Sequence, residues 1–234
     1  MKSLKQLTAL LIILCASGTA LMAFQKETRK LDTFTKISLR TSANVYLTQG
    51  TTQKVEVTGD KEDVDRLETK VKDGKLIIDI FEKNNRRNWS GSSDVEIYIT
   101  VKNIESLAVA GSGDMVSKGE FRVGDLDISV AGSGDLKFDA EAKDVDISIA
   151  GSGSVMLRGS SNINKVSIAG SGKLEAEDMV TESYRISIAG SGRCKVHAKE
   201  EINSKISGSG SVYYKGDPKR VNNNSTGSGK VRKM

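Results

Sequence analysis

The chain has 234 residues, with 28% charged residues and a formal net charge of +5 at pH 7. Its 35 Lys and Arg are interspersed with 30 Asp and Glu, whereas nucleic-acid-binding proteins collect basic residues on one surface. One histidine and two cysteines are too few for a clustered zinc site or a disulfide framework. We therefore expect neither a nucleic-acid partner nor a cofactor.

The N-terminus has the pattern of a secretory signal peptide. Two lysines precede the apolar run 7–14, and Ala20 and Ala23 are small residues of the kind that signal peptidase requires just before its cut. We predict a signal peptide over residues 1–23, with cleavage after Ala20 or Ala23. The mature protein would then be exported to the periplasm or the cell surface.

Two alternatives for this segment stay open. Cys15 suggests a lipoprotein, although Leu14 stands where lipobox chemistry requires Gly, Ala or Ser. Residues 7–24 are 18 uncharged residues, which just reaches the length that spans a membrane, so a retained anchor is the second alternative. If the segment is removed, Cys194 is the one remaining cysteine and no intrachain disulfide can form.

We expect residues 24–233 to form one domain, with an irregular β-rich part over 31–101 and a repeat array over 102–233. The apolar rhythm of residues 34–50 predicts a diverged first coil, in which residues 41–44 replace the glycine-rich corner of the later repeats. The remaining predictions are strands at 54–58, 75–81 and 94–101, and a short helical or irregular crossover at 61–71.

The polar loop 82–93 is the longest interruption of this pattern. It contains Arg86, Arg87 and Trp89, a pairing of cationic and aromatic groups that is enriched in interaction hot spots. We predict that these three residues form a recognition surface. The competing interpretations are a solvated insertion or a tryptophan that plugs one end of the core.

The triplet Gly-Ser-Gly occurs seven times in the second half of the chain, at intervals of 18 to 21 residues. This spacing is too regular for a flexible linker and indicates a repeat array, in which the triplets are structural corners. The corner glycines are Gly111, Gly113, Gly132, Gly134, Gly151, Gly153, Gly170, Gly172, Gly190, Gly192, Gly208, Gly210, Gly227 and Gly229.

Apolar and polar residues alternate on both sides of each triplet. Ile147 and Ile149 precede Gly151, for example, and Val155 follows it. A period of two indicates strands with one apolar face and one wet face. Carried through the triplet, the alternation predicts that both glycines face inward and that the serine between them faces outward.

A repeat of about 19 residues with two short strands cannot bury its apolar face alone, whereas stacked coils bury it continuously. We therefore predict an all-β parallel solenoid whose coils are about 4.8 Å apart. An antiparallel meander with each triplet at a hairpin tip is the alternative. The solenoid predicts one internal column of side chains: Met115, Leu136, Val155, Leu174, Cys194 and Val212.

The last repeat differs from the others in polarity. Asn223 and Ser225 stand at its inward positions, where earlier repeats have Ile or Val, and Lys230, Arg232 and Lys233 follow. Polar residues and charges at an exposed edge prevent further strand pairing, so we predict a polar C-terminal cap.

Several motifs resemble, in order, the auto-transporter adhesin head GIN domain family. They are Phe-Thr-Lys-Ile at 34–37, Val-Tyr-Leu-Thr-Gln-Gly at 45–50, the repeated Ile-Ser-Ile-Ala-Gly-Ser-Gly, and Val-Tyr-Tyr-Lys-Gly-Asp-Pro at 212–218. The resemblance covers about residues 31–233. It implies a right-handed parallel β-helix in exported proteins of Bacteroidetes, and it brings no settled catalytic or binding residues.

An enzyme is the first of three functional hypotheses. Polysaccharide-acting β-helix enzymes gather carboxylates on an outer wall, and Asp127 and Asp146 take the same outward position in consecutive coils. Lys165 and Arg185 continue that position, however. The pattern therefore favours a structural ladder of opposite charges over a catalytic pair.

Calcium binding is the second hypothesis, because Gly/Asp-rich β-rolls hold the ion in their turns. Those sites require an acidic oxygen ligand in each repeat. Here only Asp114 and Asp135 follow a triplet directly, so the sequence disfavours a calcium site.

The favoured hypothesis is an exported, non-catalytic module of adhesin-like or scaffold type, with a protein or glycan partner at the cell envelope. The outward serines Ser129, Ser148, Ser167 and Ser187 could bind a ligand, although an exposed β-wall commonly carries serine. Few outward aromatic residues are expected on the walls, Tyr213 being one. The oligomeric state stays open.

Overall fold

The structure, a computed structural model, describes residues 24–80 and 95–234. Within these residues, eighteen strands form one hydrogen-bonded sheet, accompanied by one short helix, α1 (Lys61–Arg66). The strands of the N-terminal part are β1 (Phe24–Arg29), β2 (Lys36–Leu39), β3 (Asn44–Gln49), β4 (Lys54–Asp60), β5 (Leu67–Lys72), β6 (Lys75–Ile80) and β7 (Glu96–Val101). Those of the repeat part are β8 (Ser106–Gly111), β9 (Asp114–Arg122), β10 (Leu126–Gly132), β11 (Asp135–Glu141), β12 (Asp144–Gly151), β13 (Ser154–Gly170), β14 (Lys173–Gly190), β15 (Arg193–Gly208), β16 (Ser211–Lys215), β17 (Arg220–Gly227) and β18 (Lys230–Lys233).

The repeat part is a parallel β-solenoid, as predicted. Each coil pairs in parallel with the next, and the first glycines of the triplets are matched in register, Gly132 with Gly151 and Gly151 with Gly170. An antiparallel meander would pair neighbouring strands in opposite directions, so the structure excludes that alternative. Because each coil has one corner, equivalent residues of successive repeats stay in register.

The predicted internal column is confirmed. All six of its side chains are fully buried, and each pairs in register with its neighbour in the next coil. Cys194 is one of them and packs as a small apolar residue. At about 25 cal/mol per Å² of apolar surface removed from water, such columns supply the main stabilisation of a stacked array.

The two glycines of a corner have different roles, which corrects the prediction that both face inward. The second glycine is buried: a Cβ on Gly153 would lie 2.7 Å from Val130 Cγ1. The first is open to solvent in most coils, but its backbone has a φ that favours glycine, +119° at Gly151. A Cβ on Gly151 would lie 2.5 Å from the carbonyl oxygen of Gly132 in the neighbouring coil.

Backbone hydrogen bonds join the corners of successive coils. The carbonyl oxygen of Gly132 accepts the N–H of Ser152 at 2.9 Å and the N–H of Gly153 at 3.0 Å. A side chain on the first glycine of the next coil would point at this oxygen. The corner is therefore a contact between backbones, and glycine is required because nothing larger fits between them.

Residues 34–50 form a coil of the solenoid, as predicted, but they do not form its first layer. The N–H of Gly113 donates to the carbonyl of Thr41 at 3.0 Å, so the residues around Thr41 occupy the corner position. The next coil in sequence, β6 and β7, stacks on the far side of β2 and β3. The chain then crosses back to place β8 and β9 on the near side.

Antiparallel strands cover the N-terminal end of the stack. β4 pairs antiparallel with β7, β1 with β4, and β5 with β6. The predicted crossover at 61–71 is partly correct, because α1 supplies its helical turn. Its second half is strand β5, which forms a hairpin with β6 through Asp73 and Gly74, both with positive φ.

A polar cluster lies inside the apolar core of the middle coils. Asn164, Thr181 and Tyr184 are each fully buried, and Ser161 is nearly so. The Ser161 hydroxyl donates to Asn164 Oδ1 at 2.8 Å, and the Thr181 hydroxyl donates to Tyr184 Oη at 3.1 Å. Burial raises the pKa of Tyr184 to about 12. The cluster satisfies its own hydrogen bonds, as a buried polar group must.

The C-terminal end of the stack is polar and exposed. Within residues 95–234, no further strand pairs with the outer edges of β17 and β18. Ser204 Oγ donates to Asn223 Oδ1 at 2.9 Å, and Lys233 pairs with Asp217. The last layer thus carries polar and charged side chains. None of the described helical segments has the length and apolar character to cross a membrane.

Candidate binding surface on the solenoid wall

An open groove of 1010 Å³ lies on the wall formed by the strands that precede the corners. It crosses β10, β12, β13, β14, β15 and β17, and it therefore runs along the axis of the solenoid. We call it the wall groove. Three adjacent columns of residues line it, and each column takes one residue from each of these six strands.

The first column carries the charges of the wall groove. The predicted alignment of Asp127 with Asp146, Lys165 and Arg185 is confirmed by the strand register. Asp146 Oδ1 lies 3.2 Å from Lys165 Nζ. This ion pair across coils is what the prediction of an opposite-charge ladder requires.

Amide side chains continue this column toward the C-terminal end. Asn222 Nδ2 donates to Asn203 Oδ1 at 2.9 Å across consecutive coils. The column thus changes from acidic to basic to neutral along the axis. A ligand lying in the wall groove would meet acceptors first, then cationic donors, then groups that both donate and accept.

The other two columns form the floor and the opposite wall of the groove. The floor residues, such as Ile147 and Val166, are each 3% exposed because their side chains enter the core. The opposite wall is the predicted outward column of serines, all exposed, which continues as Lys205 and Asn224. Small hydroxyl side chains leave the groove wide.

The structure does not test the residues that the sequence favoured for recognition. Arg86, Arg87 and Trp89 fall in 81–94, outside the described residues, so their role stays a prediction. His197 is half-buried, and among the residues that the structure describes no cluster of three or more His, Cys, Asp or Glu could hold a metal ion. The serine column was noted in the sequence, but its joining with the charged column into one groove was not.

Cys194 should be inert in the folded protein. Burial raises the pKa of its thiol to about 12, whereas an ordinary cysteine has a value of about 8.5. In a Cys15→Ser variant at pH 8, we expect a thiol reagent to label the folded protein at least about a hundredfold more slowly than the protein in denaturant. Adding Ser152→Cys at the exposed corner should restore rapid labelling. Fast reaction of Cys194 itself would contradict its buried position.

Comparison with models of protein families gives a match over most of this chain. A family model described as "Putative auto-transporter adhesin, head GIN domain" matches residues 33–218. A comparison with curated proteins returned no match.

Solved structures from Bacteroides and Parabacteroides species have a similar architecture. A "putative adhesin" of Bacteroides fragilis is 26% identical with a TM-score of 0.80, covering 90% of this chain and 97% of that one. A "putative lipid binding protein" of Parabacteroides distasonis is 24% identical with a TM-score of 0.74, covering 90% of this chain and 96% of that one. A "putative adhesin" of Parabacteroides merdae is 19% identical with a TM-score of 0.71, at the same coverages.

The latter two identities are below 25%, so those likenesses show the fold alone. The family match shows more than the fold, because the family model covers both the interleaved N-terminal coils and the glycine-cornered repeats. Because the family model spans residues 33–218, most of the sequence, this chain belongs to the auto-transporter adhesin head GIN domain family.

Proposed function

We propose that this chain is an exported, non-catalytic adhesin-type module that binds an extended glycan along the wall groove. The family description points to the outer surface of a cell, where adhesins act. Export would use the predicted signal peptide 1–23, which lies outside the described residues. The observation that carries the proposal is the wall groove itself.

The shape of the wall groove favours a polymer over a small molecule. Pockets for small ligands are usually enclosed and about 300–1,000 Å³, whereas this groove has 1010 Å³ and stays open along several coils. Its chemical groups recur once per coil, at a spacing of about 4.8 Å. A chain of repeating units can contact such a surface at several successive positions, and the weak contacts then add.

The chemistry of the wall groove favours hydroxyl groups on the ligand. Ser148 and Ser167 both donate and accept hydrogen bonds, Asn203 does the same, and Lys165 donates. The Asp146 carboxylate is held by Lys165, an arrangement that suits a structural ladder better than a catalytic pair. A polyhydroxylated ligand can exchange hydrogen bonds with all of these groups.

A bulky side chain inside the wall groove should block binding. The probe is a printed array of neutral and acidic polysaccharides, including mannan, dextran, galactan and hyaluronan, incubated with the mature protein. We expect retention on at least one polymer and a loss of about tenfold or more in affinity for Ser167→Trp. Ser152→Trp is the matched control, because it adds the same ring at an exposed corner outside the groove.

Two results would overturn the proposal of a non-catalytic module that binds a glycan. One is binding to lipid vesicles of phosphatidylethanolamine with no binding to any polymer. The other is the release of new reducing ends from a polysaccharide by the wild-type protein, abolished by the double variant Asp127→Asn and Asp146→Asn, which would show an enzyme. Equal affinities of the two tryptophan variants would place the ligand outside the wall groove.

A further inference from the structure

Two tyrosines that are distant in sequence lie side by side on the wall that follows the corners. Tyr46 on β3 and Tyr98 on β7 are partners in register, with ring centroids 5.1 Å apart and 32° between the ring planes. Tyr98 is 40% exposed and is the one aromatic side chain among the exposed large hydrophobic residues of the described part of the chain. We call this pair the tyrosine platform. It lies on the opposite side of the corner from the wall groove and on other strands.

A shared carboxylate holds both rings in place. Tyr98 Oη donates to Glu96 Oε2 at 2.7 Å, and Tyr46 Oη donates to Glu96 Oε1 at 3.4 Å. The hydrogen bond to Glu96 is the main reason that the pKa of Tyr98 rises to about 12. Because the protonated form is the one stabilised, the bond persists at neutral pH and is lost only as pH rises through that value. The platform is therefore preorganised, which lowers the entropic cost of binding.

The rim of the tyrosine platform contains charges of both signs. Lys118 Nζ lies 4.3 Å above the centre of the Tyr46 ring. Glu56, the next residue of the same outward column, is bound by Lys26 and Lys54 at 2.9 Å each. The hydrogen bond from Lys54 and that from Lys26 lower the pKa of Glu56, which therefore stays ionised and paired.

This balance decides which class of ligand the tyrosine platform suits. Glu96 would repel an anion that Lys118 attracts, and Lys118, over the Tyr46 ring, would repel a cation that Glu96 attracts, so neither sign of charge is favoured. An uncharged ligand with many hydroxyl groups meets neither penalty. It can donate to the carboxylate and accept from the ammonium group at the rim.

We propose that the tyrosine platform is a stacking site for a neutral sugar ring. One face of a pyranose presents C–H groups, which pack on the electron-rich face of an aromatic ring, and Tyr98 is the ring of this pair with 40% of its surface exposed. The hydroxyls at the edge of the sugar then reach Glu96 and Lys118. This site is separate from the wall groove, and it holds whether or not the groove binds a polymer.

Saturation-transfer NMR with short oligosaccharides tests this site. The probes are maltotriose, cellotriose, chitotriose and mannotriose at millimolar concentration, too short to need a multi-coil groove. We expect transfer from the protein to the ring C–H protons of at least one trisaccharide. Tyr98→Ala and Tyr46→Ala should each weaken that binding about tenfold or more. Tyr98→Phe keeps the ring and should stay within about threefold.

Tyr213→Ala is the matched control. Tyr213 belongs to the same outward column, in register with Lys195, and no second aromatic ring of the described residues stacks on it. We expect it to leave binding unchanged. Circular dichroism would verify that each variant is folded. If Tyr46→Ala does not fold, Lys118→Ala replaces it in the test, because it leaves both tyrosines in place, and it should weaken binding.

Three outcomes would overturn the inference. They are no transfer to any trisaccharide, unchanged binding in Tyr98→Ala, and loss of trisaccharide binding in the groove variant Ser167→Trp. The last would place the sugar in the wall groove instead. A self-association that Tyr98→Ala abolishes, without any sugar signal, would show a protein contact. Failure of the polymer array alone would contradict the wall groove and leave the tyrosine platform intact.

Discussion

Gly151→Ala should destabilise the protein by about 2–5 kcal/mol, measured by denaturant unfolding. Two penalties combine at this position. The φ of +119° costs a residue with a Cβ about 1–3 kcal/mol. The new Cβ would also lie 2.5 Å from the Gly132 carbonyl oxygen, so the two coils would have to move apart. Because that oxygen accepts two hydrogen bonds from the corner, separation would weaken them as well.

Two other glycines separate these penalties. Gly119 has a φ of +100° and no atom within 4 Å of an added Cβ, so Gly119→Ala should show the backbone cost alone. Gly124 has neither a left-handed φ nor a close neighbour, so its alanine variant should be neutral or slightly stabilising. Ser152→Ala should change stability by less than about 0.5 kcal/mol. Equal effects of the Gly151 and Gly119 changes would contradict the backbone contact between coils.

Tyr184→Ala should cost about 3–5 kcal/mol in unfolding free energy. Tyr184 is the largest fully buried side chain in the described residues, and its removal leaves a cavity that rigid coils cannot close. It also removes the partner of the Thr181 hydroxyl, which the structure places at 3.1 Å. A buried hydroxyl that loses one partner adds to the cost.

Tyr184→Phe separates packing from hydrogen bonding. It keeps the ring and should cost only about 0.5–1.5 kcal/mol, the usual net value of one hydrogen bond. Ser187→Ala, three residues along on the exposed face, is the surface control and should be silent. A phenylalanine variant as unstable as the alanine variant would mean that the polar cluster, rather than the volume of the ring, stabilises these coils.

The repeat part of the fold was predictable because its information is local. Period-two alternation and a corner every 18 to 21 residues indicate strands, coils and an internal column without any long-range pairing to work out. The buried cluster around Asn164 and Tyr184 breaks that pattern with polar side chains at inward positions. Alternation alone cannot show that such residues satisfy one another.

The N-terminal part was harder, because its layers are not in sequence order. The hairpin of β5 and β6 had a local signal in Asp73-Gly74, a dipeptide typical of tight hairpin turns. The prediction of a helical or irregular crossover at 61–71 did not use this signal. No local signal shows that β6 and β7 stack outside β2 and β3. That order is a matter of long-range strand pairing, which the alternation within one strand does not specify.

For the candidate sites too, the sequence predicted the local features but not the long-range contacts. Alternation correctly placed Asp127, Asp146 and the serine column on the outer wall, but it could not show that neighbouring columns enclose a groove. Tyr46 and Tyr98 also fall at outward positions of their strands. Their meeting depends on the pairing of β3 with β7, which the sequence does not specify.

The interleaved order of the N-terminal coils affects how the fold would resist unfolding under mechanical tension. Tension applied through β1 would first peel β1 from β4, one antiparallel bond at a time. The next layer in sequence, β2 and β3, is bonded on both sides, by β6 and β7 above and by β8 and β9 below. It cannot leave the stack without breaking both sets of bonds together. Unfolding that begins with the detachment of β1 would therefore meet its main mechanical resistance at β2 and β3.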